Sequence, residues 1–443
     1  MPKYVIIGNS AGGIGAVEAI RQVDSEGPIA IVSDEPYPAY SRPMISEYLS
    51  GETSLERMLF RPRDFYRANG VDTIFGKKVS GIDTKESLVK FANGDTLRYE
   101  KLLVATGGVP FVPKTEGGDR EGVFTFTTLR DANLISSKLE NARSAVVIGG
   151  GLIGISVTQA LVKRDIDVTI VELKDRILNV LLDEEASRIA GQAVLKAGVK
   201  IVTNSTVKQI TGQPFAEQAV RSVFLDNGDE VRCDLVVMAI GVMPRLDAVA
   251  DSGIKANRGI VVDRYMTTSV PNVYACGDVA EAYDYVLGIN RLTPIWPNAY
   301  IGGRIAGFNM AGLETEYAGG TAMNSMNYFG LAIVSAGLVT ADGQPDCETL
   351  YHLNSETNVY RKVILRDGRI VGMAFVNDID KSGIVYGLMR DGIDVGSFKR
   401  ALIGDDFALI SLPKDLRKER FGISLDSPLY GDQEDLVEEL VLE

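Results

Sequence analysis

The sequence predicts an α/β protein built on two doubly wound parallel sheets and followed by a smaller α+β domain. Two glycine-rich turns, Gly8-Asn9-Ser10-Ala11-Gly12-Gly13 and Gly149-Gly150-Gly151-Leu152-Ile153-Gly154, stand about 140 residues apart, each directly after a run of β-branched residues. A helix-forming stretch follows each turn and a second β-branched run follows each helix, which is the βαβ order of a parallel sheet. From about Thr321 the pattern changes to short strands with tight turns.

Tyr4-Val5-Ile6-Ile7 reads as a short buried strand, and the apolar spacing from Ile14 to Gln22 reads as a helix. The first turn therefore opens a helix. Gly8 permits the tight turn and Gly13 permits close helix–strand packing, while the helix N-terminus offers unpaired amides and a positive dipole end to a pyrophosphate. Ser10 stands where a second glycine is usual, and its small side chain still lets a phosphate approach the backbone. Ile29-Ala30-Ile31-Val32 forms the next strand and ends in Ser33-Asp34-Glu35, where an acidic side chain takes ribose hydroxyls. Glu35 is the preferred ribose ligand and Asp34 the second; for either, a solvated residue at a strand end is the alternative.

The second turn follows the strand Ala145-Val146-Val147-Ile148 and has all three fingerprint glycines, Gly149, Gly151 and Gly154. Its helix runs to about Lys163, and the strand Val168-Thr169-Ile170-Val171 ends at Glu172, 18 residues after Gly154. That carboxylate accepts hydrogen bonds from a ribose diol and repels a 2′-phosphate, which predicts NADH over NADPH. Lys174 and Arg176 lie close by and leave a partner for a 2′-phosphate open.

Further segments come in a fixed order. They are Pro38-Ala39-Tyr40-Ser41-Arg42-Pro43-Met44-Ile45-Ser46, Ala105-Thr106-Gly107-Gly108-Val109-Pro110, Ala239-Ile240-Gly241-Val242-Met243-Pro244, Ala275-Cys276-Gly277-Asp278 and Trp296-Pro297-Asn298-Ala299. With the two turns they resemble the two-dinucleotide flavoprotein reductases of the pyridine nucleotide-disulfide oxidoreductase fold, over nearly the whole chain. The segment around Arg42 resembles the branch holding NADH:rubredoxin reductases, oxygenase-coupled ferredoxin reductases and the flavin part of assimilatory nitrite reductases.

The resemblance implies FAD contacts at Gly8, Ser10, Ala11, Gly12, Gly13, Asp34, Glu35, Arg42, Pro43, Val79, Ala105, Thr106, Gly107, Arg130, Gly277, Asp278 and Trp296. For Arg42 the alternative is a surface salt bridge. It implies NAD(H) contacts at Gly149, Gly151, Leu152, Ile153, Gly154, Glu172, Ile240 and Gly241. It also implies a discontinuous FAD domain (1–112 and 245–320), an inserted NAD(H) domain (113–244) and a C-terminal α+β interface domain (321–443) that covers the flavin edge. Within the last, Asp367-Gly368 between two apolar runs reads as a hairpin turn, with helices from about Lys381.

The disulfide reductases of this fold need a reactive cysteine beside the flavin. Here no cysteine precedes Cys233, and Cys233, Cys276 and Cys347 are scattered without metal-ligand spacing. They read as apolar residues of a reduced protein. The single histidine, His352, falls in a strand-like segment and reads as structural. Metal and iron–sulfur sites are therefore not expected in this chain, and an iron centre belongs to a partner.

What is left is hydride transfer between nicotinamide and FAD N5, with single electrons passing between FAD and an iron–sulfur protein. Relatives often carry a lysine after the serine of the Arg-Pro segment, paired with a glutamate after the second turn; Glu47 and Ser156 stand at those positions here. A carboxylate near the flavin lowers its reduction potential, whereas a Glu47 turned to solvent has no such role.

The net charge of −13 disfavours nucleic acid and anionic membranes as partners, and no apolar run approaches the roughly 18 residues of a membrane span. The N-terminal strand is no signal peptide, so a cytoplasmic protein is expected. Lys414, Arg417, Lys418 and Arg420 form a basic patch for an acidic carrier or a solvated helix face. The acidic tail with Leu436, Val437, Leu440 and Val441 at helical spacing docks on a partner subunit, folds back or frays. Two functions compete: a stand-alone NADH:rubredoxin or ferredoxin reductase, as a possible homodimer, and the NAD-reducing flavoprotein subunit of a larger 2-oxoacid dehydrogenase complex of the phenylglyoxylate type. An NADH oxidase or CoA-disulfide reductase is disfavoured by the missing cysteine.

Overall fold

A computed structural model describes residues 1–213 and 216–421. The chain forms two compact units that divide between Val339 and Thr340. In the first, one parallel five-stranded sheet has the order Val273–Ala275, Lys101–Val104, Tyr4–Ile7, Ile29–Val32, Val71–Ile74. A second has the order Lys200–Val202, Asp167–Val171, Ser144–Ile148, Leu235–Met238, Val123–Thr125. The central strands are apolar at nearly every position because helices and loops cover both faces, and Tyr4–Ile7 is buried throughout. The two crossings between the sheets are themselves paired, Gly108–Pro110 running antiparallel to Val242–Pro244.

The helix after the first turn spans Ala11–Val23, three residues earlier than its apolar pattern starts. The glycines hide this start, since their helix propensity is poor, yet they are already helical. They are needed because Trp296–Ala311 packs against this helix with the backbones in contact. A Cβ on Gly303 would collide with the Gly12 carbonyl, and one on Gly307 would lie 2.6 Å from the Ala16 carbonyl oxygen. Across the same face, a Cβ on Gly15 would lie 2.5 Å from the Tyr300 carbonyl oxygen.

The first unit ends in the hairpin Met323–Tyr328 and Leu331–Gly337. In the second unit, Cys347–Asn354, Val359–Arg366 and Arg369–Val376 form an antiparallel meander, and the helix Ser382–Arg390 follows. Asp367 and Gly368 form the expected two-residue turn with φ of 50° and 73°. Buried Arg361 ties the middle strand to Asp378 and, at 2.8 Å, to Asp405. His352 lies on the edge strand, 4.0 Å from Asp405. The basic residues Lys414, Arg417, Lys418 and Arg420 fall on the helix Lys414–Phe421, and the acidic tail lies outside the described residues.

The glycine packing is open to a direct test. Gly303→Val forces two backbones apart and is expected to cost more than the ~1–3 kcal/mol of ordinary overpacking, read as a lower urea midpoint. Gly191→Ala, in the helix Glu184–Lys196 with open space where the methyl would go, is expected to raise the midpoint by about 0.5–1 kcal/mol in stability.

Candidate functional site

The two glycine turns are built alike. Gly8 and Gly149 have φ of 124° and 104°, conformations that L side chains rarely adopt. A Cβ on Gly13 would strike the Gly8 carbonyl, and one on Gly154 would strike the Gly149 carbonyl, so each helix begins pressed against its own strand end. The helices Ala11–Val23 and Leu152–Val162 start at Ser10 and Gly151 with no side-chain cap and no acidic residue in the first turn. Elsewhere Thr128 and Asp183 cap their helices with side-chain oxygens. The turn helices therefore keep their N-terminal amides for an anionic ligand.

A cavity opens at the carboxyl ends of the first sheet. Gly8, Ser10, Ala11 and Gly12 line it, as do Asp34 and Glu35 at the end of Ile29–Val32. Arg42, Pro43, Val79, Ala105, Thr106 and Gly107 form further walls, with Gly277, Asp278 and Trp296 completing the set. Ile153 of the second turn and Val242 further along the chain reach the same cavity. Gly13 does not line it, being spent on the helix–strand contact. Arg130 departs from expectation: its helix starts at Thr128 with Leu129 buried, and the next residue in the helix therefore turns to solvent, where Arg130 is exposed.

Charge around the cavity is organised in pairs. Glu35 accepts from the Tyr40 hydroxyl at 2.7 Å and pairs with Arg42, whose Nη1 donates to the Thr127 carbonyl at 3.2 Å. Burial opposes the charge of Arg42, but Tyr40 and Glu35 beside it hold its pKa above the ordinary value. Asp34 accepts from Arg245 at 2.6 Å. Asp278 is different, for it has no hydrogen-bond partner among the described residues, and burial pushes its carboxyl up despite the nearby charge of Arg42. A half-buried carboxylate facing a cavity calls for donors from a ligand, which the hydroxyls of a ribityl chain supply. Together with the glycine turn, where a Cβ on Gly12 would press to 2.8 Å from the Cys276 sulfur, these residues fit FAD.

Cys276 is fully buried, and burial pushes its thiol up to about 12. Cys233 is likewise pushed up to about 12 by burial. Neither supplies a thiolate near neutral pH. Among the described residues no cluster of metal-ligating side chains occurs.

At the second turn, Glu172 is buried and its oxygens accept from the Gly150 amide at 2.6 Å and the Lys174 amide at 2.8 Å. The carboxylate is thus held against the turn. Arg176 is paired with Asp175 at 2.9 Å, which leaves its charge compensated. Gly241 has φ of 117° at the end of the strand Leu235–Met238, with half-exposed Ile240 before it. Gly149, Gly151, Leu152, Gly154, Glu172, Ile240 and Gly241 do not line the cavity.

Glu47 and Ser156 are brought together, on the packed helices Ile45–Ser50 and Leu152–Val162 whose Ile45 and Ile153 line the cavity. They meet at Tyr328: burial raises the phenol pKa, a hydrogen bond with Ser156 opposes this, and the charge of Glu47 adds to it. The Phe329 amide also donates to Gln159 at 2.6 Å, which fixes the hairpin to the same helix. Tyr328, Lys77, Lys78, Thr127, Arg245 and Asp247 are site residues that the sequence reading missed. Only Arg245, directly after the Val242-Met243-Pro244 segment, and Lys78, beside Val79, carried a signal in their position.

Glu172→Gln keeps the shape of the turn but removes the charge. It is expected to lower the preference for NADH over NADPH by about 10- to 100-fold, the range for hydrogen bonds to a charged group, measured as the ratio of kcat/KM values.

Residues 2–303 match the family model described as Pyridine nucleotide-disulphide oxidoreductase, and residues 323–393 match the Rubredoxin NAD+ reductase C-terminal domain. The chain is 32% identical over 410 residues to the NADH-dependent phenylglyoxylate dehydrogenase subunit epsilon of Aromatoleum evansii, covering 92% of this chain and 96% of that protein. It is 27% identical over 378 residues to the NADH-rubredoxin oxidoreductase of Clostridium acetobutylicum, 85% of this chain and 91% of that one. A solved NAD-dependent persulfide reductase from A. fulgidus has a TM-score of 0.84 at 26% identity, covering 95% of this chain and 84% of that chain. The NADH:rubredoxin oxidoreductase structure from C. acetobutylicum has a TM-score of 0.73 at 26% identity, covering 88% and 96%. The chain belongs to the pyridine nucleotide-disulphide oxidoreductase family, in its rubredoxin and ferredoxin reductase branch, and is an FAD-dependent NADH oxidoreductase.

Proposed function

We propose that this protein passes electrons between NAD(H) and an iron–sulfur protein of the rubredoxin or ferredoxin type. Bound FAD supplies the hydride exchange with the nicotinamide and the single-electron exchange with the metal centre. The chain supplies positions. The amides of the Gly8–Gly13 turn, Asp278 and the Arg42 wall hold the cofactor in the cavity, and the Gly149–Gly154 turn with Glu172 holds NAD(H) so that its reactive end reaches the same space through Ile153 and Val242. In this reading residues 1–112 and 245–320 carry FAD, 113–244 carry NAD(H), and 321–443 form the interface domain.

One observation carries the reading. The uncapped helix N-terminus at the first glycine turn opens on a cavity that the second turn reaches through Ile153, and the one thiol lining it, Cys276, is buried with its pKa pushed up to about 12, so electrons have no disulfide to enter. No described helix is long and apolar enough to cross a membrane. A second reading, a flavoprotein subunit of a 2-oxoacid dehydrogenase complex, is favoured by the similarity over almost full length to subunit epsilon of the phenylglyoxylate enzyme.

Rapid mixing of the flavoprotein with NADH is expected to bleach the flavin within the turnover time, and added rubredoxin or ferredoxin is expected to reoxidise it. Reoxidation by disulfides but by neither carrier would overturn the proposal. Gel filtration of a native extract separates the two readings: a small homo-oligomer supports the stand-alone enzyme, and co-elution with iron–sulfur subunits supports the complex. Glu47 and Ser156 are read as positions that tune the flavin. Glu47→Lys is expected to raise the flavin midpoint potential, because a cation favours the anionic reduced form; an unchanged potential removes them from that role.

A further inference from the structure

Two ion pairs cross the rim of the cavity and involve no residue that the glycine turns or the flavin-ring wall contribute. Arg245 donates to Asp34 at 2.6 Å, and Lys78 lies 3.3 Å from Asp247. All four residues line the cavity. They come from three distant stretches: the end of Ile29–Val32, the segment leading into the strand Val79–Asp83, and the chain returning after Val242–Pro244. The polarity alternates, with an acid reaching an arginine on the returning chain and a lysine reaching an acid on the same chain two residues later. The returning segment is fixed at its base, since the Arg245 amide donates to the Gly107 carbonyl at 2.9 Å and the Thr106 hydroxyl donates to the Arg245 carbonyl at 3.0 Å. The 3-10 turn Asp247–Val249 also packs on the strand Val79–Asp83.

The carboxyl end of the second strand of such a sheet is where the adenosine half of a dinucleotide lies. On the reading of this cavity as the FAD site, we propose that Arg245–Asp34 and Lys78–Asp247 form an ionic clasp over the adenosine end, which FAD must open to leave. The side chains are exposed by 31% and 37% in the first pair and by 61% and 49% in the second. Pairs this open to water are weak and screened by salt, as a clasp that must release its ligand requires. Arg245 and Lys78 are positioning residues. They retain the cofactor and take no part in electron exchange.

The test is the rate at which the purified holoprotein releases FAD after dilution, followed by recovery of free flavin fluorescence at low and high salt. Arg245→Ala and Lys78→Ala are each expected to speed release about two- to fivefold at low salt, the range an exposed pair supports. The exchanged pair Asp34→Arg with Arg245→Asp is expected to return the rate toward that of the original protein. High salt is expected to speed release from the original protein and to have little effect on the variant lacking both cations. An unchanged rate in that double variant, an undiminished salt effect in it, or no recovery by the exchanged pair would overturn the clasp. The cavity reading is tested separately by Asp278→Leu. If that variant binds FAD as tightly as the original chain, the cofactor lies elsewhere and the FAD site assignment fails; if it loses FAD, the release rates speak to the clasp alone.

Discussion

Gly303 and Gly12 bring two helices into backbone contact, and the cavity exists because of that contact. Ala11–Val23 begins at the first glycine turn, and Trp296–Ala311 begins at the tryptophan that walls the opposite side. Side chains larger than hydrogen at Gly303 and Gly307 would push the helices apart and carry Trp296 and Ala299 away from the turn, and one at Gly12 would strike the Cys276 sulfur. Cys276 lies beside Gly12, since the strand Val273–Ala275 joins the sheet edge next to Lys101–Val104. Small residues here serve distance, which dispersion and burial then reward at close packing.

Around that frame the polar groups are almost all satisfied within the chain. Glu35 is held by Tyr40 and Arg42, Asp34 by Arg245, and Glu172 by the amides of Gly150 and Lys174. The contrast is Asp278, a half-buried carboxyl that faces the cavity with no hydrogen-bond partner among the described residues. A partly desolvated carboxylate gains from hydrogen-bond donors, which the proposed FAD site would supply through hydroxyl groups. Cys276 is fully buried, and burial pushes its thiol up to about 12, so it offers no thiolate near neutral pH.

The parts of this design legible in the sequence were those fixed by local stereochemistry. Gly8 and Gly149 need positive φ, and Gly13 and Gly154 must clear a carbonyl five residues back, so both turns announce themselves in any chain that builds them. The Asp367-Gly368 turn was legible for the same reason. The start of the first helix was not, because Gly12 packs against Cys276 and Gly303, more than 250 residues further along the chain. Arg245, Lys78 and Asp247 look like ordinary surface charges until the returning chain is laid across the cavity rim. Glu47 and Ser156 were singled out as a pair, but the tyrosine at which they meet lies on a hairpin far along the chain and has no local signature. Arg130 is exposed beside buried Leu129 at the start of its helix and does not line the cavity.

The central claim is that the space between the first glycine turn and Trp296 is the flavin site. A crystal structure of the purified flavoprotein tests it most directly. The account predicts one FAD in that cavity, its pyrophosphate on the amides of the Gly8–Gly13 turn and one of its hydroxyls within hydrogen-bond distance of Asp278. A flavin bound elsewhere, with side chains filling the space between Gly12 and Trp296, would contradict it.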